Sequence, residues 1–188
     1  MRSICENGIK KTERPIKVLQ FGEGNFLRCF VDENPSPGNK EGGITTLADK
    51  SLGCVQKGGT APVEDVLQYG QQVCRKGLSL LSAPGNDLVA SCALMASGAH
   101  IVLFTTGRGT PFGCPVPTVK ISSNSTLYNK KNAWIDFDAG RLLNGESFET
   151  LEDELYDYII KIASGETFAK SETLDNRDLS IFKDGVTL

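Results

Sequence analysis

The sequence predicts a Rossmann-like three-layer α/β domain with a mostly parallel sheet, an irregular N-terminal extension and an irregular C-terminal tail. Three observations carry this expectation. Short apolar runs at residues 78–83, 100–105 and 117–121 have the length of buried strands rather than helices. A helical pattern bounded by turn residues separates the first two runs. This alternation suits βαβ units, whose parallel strands need crossover connections and helices on the sheet faces.

Taken in order, residues 15–21 form an apolar run suited to a strand, followed by Gly22, Glu23 and Gly24. A dinucleotide fold would need a helix of ten or more residues next. Pro35 and Pro37 stop any helix begun at Asn25 after about two turns, because proline removes a donor and clashes with the preceding turn. No complete nucleotide-binding unit follows, so NAD is not expected as a cofactor. Residues 34–43 read as a loop, rich in Pro, Gly and Asn. Val63, Val66, Leu67, Gly70, Val73 and Cys74 recur at helical spacing after Pro62 and predict an amphipathic helix stopped by Gly77. Pro84, Gly85, Asn86 and Asp87 make a turn able to cap a helix over 88–97, with Gly98 as its stop. Thr150 and Asp153 mark the start of a last helix, whose Leu151, Leu155, Tyr158, Ile159 and Ile162 share one face until Gly165. Residues 166–188 are polar and aperiodic, as expected of a wrapping tail.

A chain of 188 residues with 39% apolar and 23% charged residues can bury one proper core, or one domain and a tail. Its net charge of −3 gives no reason to expect nucleic acid or an anionic membrane as partner. No apolar run approaches the ~20 residues that span a bilayer. The first fifteen residues, MRSICENGIKKTERP, lack the apolar segment of a secretory signal, so a cytoplasmic protein is expected. Cys5, Cys29, Cys54, Cys74, Cys92 and Cys114 are scattered singly and read as free packing thiols in a reducing compartment. With one histidine, the chain shows no compact zinc-ligand pattern.

In an open parallel sheet, ligands sit beyond the carboxyl ends of the strands. Three loops leave those ends, at 84–87, 106–113 and 122–126. The middle one begins Thr106, Gly107, Arg108, Gly109, Thr110 and offers hydroxyls, glycine amides and a guanidinium suited to a carboxylate or phosphate. A glycine-rich turn with a surface ion pair at Arg108 is the alternative. The ENPSPGNK loop offers Asn34, Asn39 and Lys40, or serves as a rigid linker; Lys57 adds an ammonium beside glycines. Residues 122–126 can start a helix, as an anion site or as a plain cap. His100 opens a strand at the end opposite the crevice, which favours a structural role over a general base. Trp134 reads as core packing or a domain contact. Asp136 and Asp138, two apart on one side of a strand, could face a hard cation, though a turn or helix cap is the commoner use.

Two long irregular blocks, VDENPSPGNKEGGITTLADKSLGCVQKGG at 31–59 and FTTGRGTPFGCPVPTVKISS at 104–123, resemble in order and spacing the C-terminal part of the altronate/galactarate dehydratases. The segment IKVLQFGEGNFLRCFVD at 16–32 instead resembles the first strand and phosphate turn of a tagaturonate reductase. The resemblance implies a reductase-like fragment over 1–32, not a domain in itself, and a dehydratase C-terminal domain over 33–188. It implies a hydro-lyase acting on altronate, a hexonic sugar acid, to give 2-keto-3-deoxygluconate, with a divalent metal, Fe(II) as a rule, in intact family enzymes. Those intact chains carry further domains upstream of ENPSPGNK, which implies that much of the metal site and the catalytic base lies there. Asn34, Asn39, Lys40, Lys57, Thr106 and Arg108 are then expected as substrate-binding rather than catalytic groups. A non-catalytic remnant, assembling with itself or with an intact dehydratase, is the alternative function.

Overall fold

A computed structural model describes residues 41, 46, 48, 49, 59–84 and 86–181. Five parallel-paired strands in two sheets form its frame. β1 (Val63–Leu67) pairs in parallel with β2 (Leu78–Leu81). Helix α1 (Asp87–Ala96) leads from β2 to a second sheet of β3 (Val102–Thr106), β4 (Thr118–Ser122) and the two-residue β5 (Phe137–Asp138), in that order. Helix α2 (Ser125–Lys130) connects β4 to β5. A 3-10 turn (Ala139–Asn144), the long α3 (Phe148–Ser164) and the short α4 (Lys170–Thr173) complete the chain.

The alternation of β3 and β4 explains the layering, because successive side chains of a strand face opposite sides of its sheet. Leu103, Val119 and Ile121 pack with Leu151, Ile159 and Ile162 of α3 on one side. Val102 and Phe104 pack with Cys92 and Leu94 of α1 and with Cys114 on the other. The result is the layered α/β arrangement that the apolar runs imply. Asn86 starts α1 by accepting the amide of Val89 at 3.3 Å. Gly165, with φ +79°, ends α3 in the left-handed conformation that glycine adopts without strain.

Three expectations are corrected. The helix predicted from Val63 does not form: Val63–Leu67 is a strand, and only Leu67 of its apolar residues is buried. Val66, 65% exposed, and the bend at Gly70 (φ +85°) break the pattern that spacing alone suggested, and two β-branched valines favour the strand. The start of α3 lies earlier than Thr150: Ser147 is the cap and accepts the Thr150 amide at 3.1 Å. The tail is also more ordered than its composition implies. Ser171 of α4 donates to the carbonyl of Thr118 at 3.0 Å and accepts its amide at 3.2 Å. Further on, the amide of Asp178 reaches the carbonyl of Gly113 at 2.7 Å.

Asp136 completes the same edge of β4. Because β5 spans only two residues, β4 would otherwise leave rungs unpaired. One carboxylate oxygen of Asp136 accepts the Lys120 amide at 2.7 Å, and its own amide donates to the Lys120 carbonyl at 2.9 Å. The other oxygen accepts the Lys170 amide at 2.8 Å and the Tyr158 hydroxyl at 3.0 Å. A single side chain thus joins β4, α3 and α4.

Candidate ligand turn at the carboxyl ends of the strands

Register aligns three polar residues at the carboxyl ends of the second sheet: Thr106 lies beside Ser122, and Ser122 beside Asp138. All three are buried and shape the turns that follow. Thr106 Oγ1 accepts the Gly109 amide at 2.9 Å, closing the turn after β3. Asp138 Oδ1 accepts the Gly140 amide at 2.9 Å and the Ser122 hydroxyl at 3.2 Å. Asn124 caps α2 by accepting the Leu127 amide at 2.8 Å, the plain helix-start reading of residues 122–126.

The turn after β3 is moulded onto α2. Lys131 Nζ donates to the carbonyl of Arg108 at 2.9 Å and lies 5.2 Å from the ring centre of Trp134. Trp134 is therefore a half-buried platform for an ammonium rather than a core residue. Gly109, at φ +76°, also sits so close to Leu127 that a β-carbon there would lie 2.8 Å from Leu127 Cδ1. Thr106 Oγ1 accepts a bond within the turn, whereas the Arg108 side chain is exposed and forms no ion pair among the described residues. Asn34, Asn39, Lys40 and Lys57, together with Cys54, lie outside the described residues.

Beneath the next stretch of this loop lies a lysine that sequence reasoning passed over. Lys120 is 0% exposed, and its Nζ donates to the carbonyls of Phe112 at 2.8 Å and Pro111 at 3.0 Å. Burial pushes its ammonium below the usual lysine range, and the charge of Asp136 partly opposes this. The available signal was a lysine at an inward position of the apolar run PTVKI. Cys114, beside Thr118, is buried, and burial raises its thiol above the usual cysteine range, which suits packing rather than reactivity. His100 is exposed just before β3, at the end away from the turn.

Asp136 and Asp138 are committed to intramolecular donors, so their carboxylates do not converge on a cation. Among the described residues no group of three His, Cys, Asp or Glu side chains could hold a metal ion. Nor is any helix among them long and apolar enough to cross a membrane.

Burial and the Asp136 charge together hold the Tyr158 hydroxyl well above the ordinary tyrosine range. A raised folded-state pKa means that the folded chain keeps a proton that the unfolded chain loses. The stability this represents is complete below about pH 10 and falls as pH rises beyond it. In Tyr158→Phe that alkaline loss becomes shallower, at a cost of about 1 kcal/mol at neutral pH for the missing hydrogen bond. Urea midpoints of both proteins between pH 8 and pH 11 check this; parallel curves would refute it.

A layered α/β domain whose glycine-rich turn follows the carboxyl end of a parallel strand is of the open-sheet α/β class. The chain belongs to the family described as D-galactarate/Altronate dehydratase, C-terminal, whose profile matches residues 25–187. It is 59% identical over 158 residues to the altronate dehydratase of Escherichia coli (strain K12), covering 84% of this chain and 32% of that protein. Against the altronate dehydratase of Bacillus subtilis (strain 168) it is 59% identical over 159 residues, with coverage of 84% and 32%. The chain thus spans about a third of the length of these curated relatives. A short N-terminal stretch of 32 residues, 17% of the chain, is 53% identical to 7% of the altronate oxidoreductase of Phocaeicola vulgatus.

Proposed function

We propose that this chain is a hydro-lyase domain of the altronate dehydratase type that supplies part of the binding surface for a hexonic acid. The observation that carries this reading is the exposed Arg108 guanidinium, unpaired among the described residues and held on a turn fixed by Thr106 and Lys131. A guanidinium offers a planar two-pronged donor to the substrate carboxylate. That contact also matters for the chemistry. Removing the proton beside a carboxylate builds negative charge there, and a fixed cation favours this before the 3-hydroxyl leaves. In this reading Thr106 shapes the turn, while Asn34, Asn39, Lys40 and Lys57 bind the hydroxyl-rich remainder of the sugar acid.

The reading divides the chain into a reductase-like fragment over 1–32 and a dehydratase domain over 33–188, acting in the cytoplasm. Among the described residues no cluster of His, Cys, Asp or Glu side chains fits the divalent metal that intact relatives are expected to use. Isothermal titration with altronate tests the proposal. Arg108→Ala is expected to weaken binding by about tenfold or more, the loss of a charge-assisted pair, with an unchanged circular dichroism spectrum. Equal affinity in both proteins would refute the role of Arg108. Following 2-keto acid formation with altronate and Fe(II) separates a catalytic chain from a binding or assembly domain.

A further inference from the structure

We infer that Lys120 is a positioning residue that fixes the Arg108 loop from inside the core. The observations are geometric. A lysine with no exposed surface stands in the middle of β4 and spends its ammonium on two consecutive backbone carbonyls, Pro111 and Phe112. Those residues lie three and four positions beyond Arg108, in the one connection that leads from β3 to β4. From the opposite end of the loop, Lys131 holds the carbonyls of Arg108 and Gly109. The loop therefore hangs between two ammonium groups, one at the surface and one in the interior.

Burying an ammonium is expensive unless its donors are used, and an apolar residue of similar length would fill this core more cheaply. What an apolar residue cannot do is hold two carbonyls whose backbone carries no regular secondary structure. A third clamp comes from the tail: Asn176 Nδ2 donates to the Pro111 carbonyl at 2.6 Å, and Gly113 packs directly against the Asn176 carbonyl. The tail contact is exposed, whereas the lysine contacts lie beneath the loop. The interior lysine thus sets the loop's height above the sheet, and with it where Arg108 stands. This inference about function rests on the reading of Arg108 as the carboxylate contact; the effect on the loop does not.

Amide hydrogen exchange and altronate titration on the full chain test it together. In Lys120→Met, exchange at Arg108, Gly109, Phe112 and Gly113 is expected to rise at least about tenfold, the loss of two bonds to a charged donor. Exchange at Ile159 and Ile162 of α3 stays at the wild-type level. Altronate affinity falls about as far as in Arg108→Ala, and Lys120→Arg recovers part of both losses. No change in loop exchange, or an equal rise in loop and α3, overturns the inference. If Lys120→Met does not fold, Asn176→Ala decides between the interior and exterior clamps. Affinity within about twofold of wild type supports the lysine, and a loss as large as that of Arg108→Ala assigns the loop to the tail instead. Should wild type fail to bind altronate while Lys120→Met still loosens the loop, the substrate reading fails and the positioning role stands.

Discussion

Asp136→Ala is expected to destabilise the domain by about 3–5 kcal/mol, a large part of the roughly 5–15 kcal/mol typical of such folds. The carboxylate accepts three donors from three elements: the Lys120 amide of β4, the Lys170 amide at the start of α4 and the Tyr158 hydroxyl of α3. Deleting it leaves all three without a partner in a half-buried place, and orphaned donors cost more than the bonds themselves contribute. Asp136→Asn keeps the shape but turns an amide N–H toward amide donors, so a loss of about 2 kcal/mol is expected. Urea unfolding followed by circular dichroism measures both. A loss below about 1 kcal/mol for the alanine variant would mean that water satisfies the donors and that the side chain is no hub.

The second large effect is expected at Gly140. A β-carbon there would collide with backbone atoms of Asn124 and Ser125, the residues that cap and open α2. Backbone cannot swing aside as a long side chain can, so α2 and the turn after β5 must separate. Gly140→Ala is therefore expected to cost about 3 kcal/mol or more, the upper range for overpacking. Gly145 supplies the control. It has φ +94° but nothing within 4 Å of an added β-carbon, so Gly145→Ala carries backbone strain alone, about 1 kcal/mol. Comparable thermal midpoints for the two variants would show that the packing of α2 on that turn is loose.

The strands and helices that the sequence revealed are those in which composition and punctuation agree. β2, β3 and β4 are short apolar runs, and α1 and α3 end at Gly98 and Gly165, where chain reversal requires a left-handed residue. β1 was hidden because apolar residues at helical spacing also fit a strand followed by turns. Only its pairing with β2, a tertiary fact, separates the two. At the candidate site, the turn around Arg108 was legible from its glycine neighbours, and the structure places that side chain at the surface. Asp136 was singled out in the sequence as a cation-facing or capping carboxylate but not in its observed role, since its partners Tyr158 and Lys170 are 22 and 34 residues away. Lys120 was the harder case, because a strand lysine ordinarily points to water and the carbonyls that draw it inward lie on an irregular loop.

The short length of β5 has a further consequence for how the molecule meets its neighbours. A parallel strand with bare rungs is an invitation for another polypeptide to add itself as the next strand. Here that invitation is withdrawn by a carboxylate and a hydroxyl, Asp136 and Ser171, which imitate the missing strand at Lys120 and Thr118. Ladder extension at these two rungs of β4 is therefore blocked by chemistry that leaves no trace in a count of strands.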